Sequence, residues 1–324
     1  MTMTVQYAEE WLKLEQAFGA RPCLKGTALQ MREQYNGLVA AIASQLPPVD
    51  DVAVQTTDGA VDGVKYRVYT PASGARPLPV GVYTHGGGFA AGGIDSDDRV
   101  CRLVAEKTPC VVVSVEYRLA PEHKVPAMLE DAMVVANWAL RNASSLGGDP
   151  SKLFTIGTSA GAGLALSIAN QFAKTTPADG KNPVRGIVAL APISLHPDHV
   201  PAEYQAMYTA YTENAVDVPV VDRSSMVAFY EACNAAPTDP DIFTALSPHL
   251  AKFPPTYIVT CETDPLRDDG TVIEAALKKA GVPTKHDYYE KLPHCFWIFP
   301  AMVEANKVFG ANLLQGIQWV IENM

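Results

Sequence analysis

Two short glycine-rich segments hold the residues best suited to do chemistry: His85-Gly86-Gly87-Gly88-Phe89 and, about seventy residues further on, Gly157-Thr158-Ser159-Ala160-Gly161. Three consecutive glycines let the main chain approach a substrate oxygen closely, with N–H groups aimed at developing negative charge, as an oxyanion hole requires. A serine flanked by glycines two positions away on each side reads as a nucleophile on a sharp strand-to-helix turn, where larger side chains would collide. Together the segments point to acyl transfer through a serine. A G-x-S-x-G match gains weight only from its context, and here the context agrees. Leu153-Phe154-Thr155-Ile156 reads as a short apolar strand, and Ala160 to Phe172 as a buried helix without proline.

A serine hydroxyl needs a general base, and the base needs a third group that holds its tautomer. The order expected for a strand-turn-helix serine is Ser, then Asp or Glu, then His. Thr256 to Cys261 reads as a buried strand running into Asp264-Pro265-Leu266-Arg267-Asp268-Asp269-Gly270. Asp264 therefore sits beyond the C-terminal end of a strand, where catalytic groups gather in open α/β sheets. Asp268 or Asp269 is expected to cap the next helix, which stops at Gly281. Of seven histidines, His85 belongs to the glycine loop and is expected to orient it. His123, His196, His199, His249 and His286 lie upstream of Asp264, in loops, or within a predicted strand, which leaves His294 as the base.

The elements that must position these groups alternate between strand and helix, the signature of a mostly parallel sheet covered on both faces. Eight strands are expected: Val52 to Thr56, Val64 to Tyr69, Val80 to Thr84, Val111 to Val115, Leu153 to Ile156, Val184 to Leu190, Thr256 to Cys261 and Lys285 to Tyr289. Met128, Ala132, Val135, Ala136 and Ala139 recur at helical spacing, and a long final helix is expected from Ala301 to Ile321. Two segments fall outside this rhythm. Residues 1–48 carry an amphipathic stretch through Trp11, Leu14 and Phe18, and residues 195–244 are too long for a plain connection.

The motifs HGGGF at 85–89, YRLAPEH at 117–123 with Pro126, Ala127 and Asp131, GTSAG at 157–161, DPLRDDG at 264–270, and His294 stand in one order from about residue 80 onward. In this the chain resembles the hormone-sensitive-lipase-like branch of the α/β-hydrolases, the bacterial family IV esterases and their fungal and plant relatives. The resemblance implies an α/β-hydrolase fold with a helical cap made of residues 1–48 and 195–244 over a core of 49–194 and 245–324. It implies Ser159 as nucleophile, Asp264 as acid, His294 as base, and an oxyanion hole of Gly87, Gly88 and Ala160. Phe89, Met207, Tyr208, Tyr211, Phe229 and Phe296 are candidates to line the substrate pocket, with Met226 and Tyr230 beside them. Thr158 replaces the commoner Asp, and Cys295 stands where Gly often follows the histidine, a place from which a thiol could narrow the pocket or be oxidised.

The activity implied is hydrolysis of short-chain or acetyl esters without metal or organic cofactor. The run from Pro293 to Trp297 resembles fungal members and would imply an acetyl ester of an aromatic polyketide. Hormone receptors of this fold lack the catalytic histidine, whereas plant dehydratases and acyl-transferring variants share the pocket and remain open alternatives. Composition fits a single-chain enzyme: 324 residues, 48% hydrophobic, net charge −10. That charge argues against nucleic acid and anionic membrane surfaces, no apolar run approaches the length of a membrane span, and no secretory signal is visible. Six scattered cysteines suit a reducing, cytoplasmic compartment. A monomer or a homodimer is expected, with Trp319 and Val320 placed in the core.

Overall fold

In the computed structural model the described residues are 6–49, 51–177 and 180–324. They form one eight-stranded sheet in the order β1-β2-β4-β3-β5-β6-β7-β8, from β1 (Val54–Val61), β2 (Val64–Pro71), β3 (Leu78–Thr84), β4 (Val111–Glu116), β5 (Gly148–Thr158), β6 (Val184–Leu190), β7 (Thr256–Thr263) and β8 (Thr284–Pro293). β2 pairs antiparallel with β1 and β4, and every other pairing is parallel. All eight predicted strands are present, several longer than expected. β5 begins at Gly148 because its exposed start, Asp149 to Lys152, carries polar side chains that an apolar run does not reveal.

Helices α1 (Glu9–Phe18), α2 (Ala28–Gln45), α3 (Asp98–Lys107), α4 (Ala127–Asn142), α5 (Ala160–Thr175), α6 (Ala210–Glu213), α7 (Arg223–Cys233), α8 (Arg267–Lys279) and α9 (Val303–Glu322) complete the order. Alternation along the strands separates the faces. Thr84 and Thr155 reach carbonyls of α5, while neighbouring Tyr83 reaches Asp97 at the start of α3. Gly270 of α8 packs on Thr260 and Ile258, while Gly316 of α9 packs on Tyr257. Thus α4, α5 and α8 cover one face and α3 and α9 the other. α5 is buried over almost its whole length, which explains a sequence apolar on nearly every side.

The two segments outside the rhythm meet each other. Leu24 and Val220 exchange backbone bonds across Pro22 (Leu24 N to Val220 O 2.9 Å; Val220 N to Pro22 O 2.7 Å), and Ser225 of α7 donates to Leu24 O at 2.7 Å. The carboxylate of Glu10 accepts from the N–H groups of Glu304 and Ala305 at 3.0 and 3.1 Å, a favourable charge at the N-terminus of α9. Trp11 and Leu14 are buried as their spacing predicts, Trp11 edge-on to Phe299 at 5.2 Å. Phe18, at the helix end, is 47% exposed instead. Residues 1–5 of the predicted cap segment lie outside the described residues.

Candidate active site

Ser159 follows the last residue of β5 and precedes the first of α5, with φ 56° and ψ −122°. A non-glycine residue there carries roughly 1–3 kcal/mol of strain, which persists only where the surroundings hold it. Ser159 N donates to Leu190 O at 2.7 Å, and Ser159 O accepts from Gly163 N at 3.1 Å. A Cβ on Gly157 would lie 2.3 Å from the Gly161 carbonyl oxygen, and one on Gly161 would lie 2.0 Å from that of Thr84. Both contacts are with backbone, so neither neighbour can move aside, and only glycine fits at either place.

His85, Ser159, Asp264 and His294 each come directly after the C-terminal end of a parallel strand, β3, β5, β7 and β8 respectively. Because those strands run parallel in one sheet, in the order β3-β5-β6-β7-β8, residues far apart in sequence meet at one rim. His294 Nε2 lies 2.9 Å from Ser159 Oγ, and His294 Nδ1 lies 2.6 Å from Asp264 Oδ2. Asp264 Oδ1 accepts from Leu266 N at 2.8 Å, which fixes the carboxylate plane. The carboxylate is acceptor-only, so Nδ1 carries the hydrogen and Nε2 is left free to accept one. All three side chains are buried, with Ser159 at 6% exposure.

The glycine loop bends through φ 117° at Gly87 and 62° at Gly88. Among the described residues the N–H groups of Gly87 and Gly88 make no hydrogen bond within the chain, and Ala160, first residue of α5, has no intrahelical acceptor. The loop is anchored from behind. Gly86 N donates to Asp97 Oδ2 at 3.2 Å, Tyr83 Oη donates to the same oxygen at 3.0 Å, and Tyr83 Oη is also 3.0 Å from Thr158 Oγ1. Thr158, the departure from the commoner aspartate, thus joins the nucleophile turn to the glycine loop. Burial pushes the Asp97 carboxyl above its usual range, against the pull of its two donors.

His85 holds the loop and is not placed to act as base. Its Nδ1–H donates to Gly86 O at 2.8 Å, its ring stacks on Tyr117 at 4.0 Å, and Tyr117 Oη donates to His85 O at 2.8 Å. Burial lowers its pKa from 6.5 to about 4. A folded-state value below the unfolded one means that the unfolded chain binds the extra proton first as acid is added. Stability is therefore whole above 6.5 and falls as pH drops from 6.5 towards 4, by about 1.4 kcal/mol per pH unit for one such group. Urea titrations across this range should show His85→Gln losing that slope; an identical slope in the variant would place its origin elsewhere.

The remaining motif residues act as braces. Arg118 pairs with Asp131 at 2.8 Å, and Glu122 takes a two-pronged bond from Arg32 of α2 at 2.8 and 2.7 Å. Arg32 also donates to Ala90 O and Ala120 O at 2.5 Å, so one guanidinium ties α2 to the glycine-loop strand exit. Sequence reasoning missed Arg32, because its partners lie 58 to 90 residues away.

Asp268 and Asp269 correct an expectation. α8 starts at Arg267 with no side-chain cap, and both carboxylates turn outward to the segment before α6. Asp268 Oδ2 accepts from the N–H groups of Thr209 and Ala210, each at 2.7 Å. Asp269 accepts from Ser194 N and Leu195 N at 2.9 and 3.0 Å and from Tyr208 Oη at 2.8 Å, while burial pushes its carboxyl up to about 8. Asp269→Ala should cost roughly 3 kcal/mol or more, from about 1–3 kcal/mol for each of the three donors left unpaired. Chemical denaturation measures it, with Asp269→Asn expected to lose far less, since its amide oxygen can still accept from Ser194 N and Leu195 N.

A cavity of about 320 Å³ opens over Ser159 and His294. Tyr35, Leu38, Val220, Met226, Phe229 and Ile298 supply most of its apolar wall. Phe229 lines it, its ring so close to Gly88 that a Cβ there would lie 2.4 Å away. Phe89, Met207, Tyr208, Tyr211 and Phe296 do not line it. The Tyr208 hydroxyl is drawn to Asp269, and those of Tyr211 and Tyr230 bond each other at 3.0 Å. Phe89 is buried beneath the loop, Phe296 packs among Tyr289, Trp297 and Phe309, and Met207 rests partly buried on the core. Cys295 does line the cavity, at φ 51°, and burial pushes its thiol up, so it stays uncharged and poorly nucleophilic.

Residues 81–298 match the family model described as the alpha/beta hydrolase fold. Over 323 residues, 99% of this chain and 97% of the other, the sequence is 47% identical to a versiconal hemiacetal acetate esterase of Dothistroma septosporum. Among solved structures, vibralactone cyclase superposes with a TM-score of 0.86 at 28% identity, covering 99% of each chain. A hyperthermophilic esterase of the archaeon Pyrobaculum calidifontis superposes with a TM-score of 0.81 at 28% identity, covering 98% of this chain and 99% of that one. Among the described residues no helix is long and apolar enough to cross a membrane.

Proposed function

Because this chain belongs to the α/β-hydrolase fold family, as one of its hormone-sensitive-lipase-like serine carboxylesterases, we propose that Ser159, His294 and Asp264 perform its ester hydrolysis. Ser159 Oγ attacks the ester carbonyl while His294 Nε2 takes its proton. The N–H groups of Gly87, Gly88 and Ala160 receive the negative oxygen. His294 returns the proton to the departing alkoxide, and water then releases the acyl group by the same path. The observation that carries this reading is the unbroken hydrogen-bonded row from Ser159 through His294 to Asp264, at 2.9 and 2.6 Å, beside unpaired loop amides.

The substrate we propose is an acetyl or other short-chain ester of a bulky alcohol. The wall of Phe229 against Gly88 supports a short acyl group, and the similarity to an esterase named for a hemiacetal acetate supports acetyl. We assign the N-terminal segment to residue 48 and residues 195–244 to a cap over the catalytic core of 49–194 and 245–324. We place the enzyme in the cytoplasm, on the ground that its six cysteines are free.

A fluorophosphonate should label Ser159 stoichiometrically, and p-nitrophenyl acetate or butyrate should be turned over at least tenfold better, by kcat/KM, than the decanoate. Absence of labelling would speak for the receptor alternative. Elimination from a β-hydroxyketone without ester hydrolysis would speak for a dehydratase.

A further inference from the structure

Taking the serine esterase reading as given, we propose that Asp97 is a positioning residue for that reaction. Through Gly86 it keeps the N–H groups of Gly87 and Gly88 aimed at the oxygen that becomes negative, and through Tyr83 and Thr158 it holds them in register with Ser159.

The need for such a residue comes from the glycines. Gly87 and Gly88, at φ 117° and 62°, carry no side chain that could hold them, and a donor aids catalysis fully only if it is in place before charge develops. A trans peptide unit is planar, with its C=O and N–H pointing opposite ways, so holding one end aims the other. The Gly86–Gly87 unit is held by its carbonyl, which accepts from His85 Nδ1 at 2.8 Å and so turns the Gly87 N–H away from the imidazole. The Gly87–Gly88 unit is held likewise, its carbonyl accepting from Ala90 N and Ala91 N at 3.0 and 2.9 Å. The imidazole can aim Gly87 only if the backbone of His85 is itself fixed. That backbone belongs to the His85–Gly86 unit, which is gripped at both ends: Tyr117 Oη donates to its carbonyl at 2.8 Å, and its N–H donates to Asp97 Oδ2 at 3.2 Å. Asp97 thus stands at the root of the loop's orientation.

The same carboxylate oxygen accepts from Tyr83 Oη at 3.0 Å, and Tyr83 Oη lies 3.0 Å from Thr158 Oγ1. An ionised carboxylate only accepts, so the hydrogens run one way, from Thr158 to Tyr83 and from Tyr83 to Asp97. The row begins one residue before the nucleophile and ends on the oxyanion loop. All three of its side chains are buried, where hydrogen bonds are electrostatically stronger than in water. A carboxylate at position 158 would leave two acceptors facing the single hydrogen of Tyr83, so threonine there and aspartate at 97 suit each other. Asp97 and Thr158 also line the catalytic cavity together with Gly87, Gly88 and Ser159.

Asp97→Ala removes the acceptor, whereas Asp97→Asn keeps one. Losing an oxyanion donor outright costs about 10²–10³ in kcat, so misaiming the loop should cost at least tenfold. For Asp97→Ala, kcat on p-nitrophenyl acetate, per site titrated to completion with a fluorophosphonate, should fall by that much with KM within threefold of wild type. Asp97→Asn should return to within threefold of the wild-type kcat. Two inhibitors separate aiming from general loosening. In 1,1,1-trifluoro-4-phenylbutan-2-one the carbonyl carbon bonds Ser159 Oγ, the serine proton passes to His294 and the carbonyl oxygen becomes the anion, whereas 4-phenylbutan-2-one stays a ketone. Asp97→Ala should weaken the first at least tenfold and the second less than twofold. Tyr83→Phe and Thr158→Val should each lower kcat at least threefold, and the double variant no further than the worse single one, since both break one row. A smaller fall in kcat for Asp97→Ala, or equal weakening of the two ketones, would overturn the proposal and leave the esterase reading standing. Should Asp97→Ala not fold, additive losses in Tyr83→Phe and Thr158→Val, or none, would overturn it in the same way. Failure of the wild-type chain to cleave p-nitrophenyl acetate would overturn both.

Discussion

Ser159→Ala should lower kcat for p-nitrophenyl acetate by about a million-fold, the loss typical when the nucleophile of such a triad is removed. The residual rate would come from binding and the loop amides, which still receive the oxyanion. The fold should survive. Alanine occupies the same φ of 56° with no larger side chain, and the backbone bonds of residue 159 to Leu190 and Gly163 do not involve the hydroxyl. The variant's melting temperature should therefore match or exceed that of the wild type, while fluorophosphonate labelling disappears. Turnover near the wild-type level would remove Ser159 as the nucleophile.

Asp264→Asn should lower kcat about ten-thousand-fold with the fold intact. Asparagine keeps the shape, and its oxygen can still accept from Leu266 N, which donates to Asp264 Oδ1 at 2.8 Å. That bond turns the amide NH₂ towards His294 Nδ1. The amide donates where the carboxylate accepted, so Nδ1 loses its hydrogen and Nε2 gains one. An Nε2–H facing Ser159 Oγ at 2.9 Å cannot take the serine proton. Steady-state rates across pH 6 to 9 measure the effect, and melting curves separate it from unfolding. A loss below tenfold would mean that Asp264 does not set the imidazole tautomer. Asp264→Ala is the poorer experiment, since it leaves Leu266 N and the imidazole N–H buried without acceptors.

The sequence by itself determined the parts whose causes are local. Gly157 and Gly161 are required by backbone oxygens that a Cβ would meet at 2.3 and 2.0 Å, and such demands are written in residue type. The eight strands and α5 are legible for a similar reason, because periodicity records burial within one element. The order of Ser159, Asp264 and His294 followed from strand ends, and parallel strands bring their C-terminal ends to one rim. What only the tertiary structure decided is which side chains turn towards that rim. Tyr208 and Tyr211 look like pocket residues in sequence, yet their hydroxyls are captured by Asp269 and Tyr230, which lie 61 and 19 residues away. Tyr35 and Leu38 come into the cavity wall from a helix more than a hundred residues before Ser159, and Asp97 anchors Gly86 across the loop that follows β3. A hydroxyl or carboxylate is committed by whichever partner the fold brings within about 3 Å, and a window of neighbouring residues carries no information about that distance.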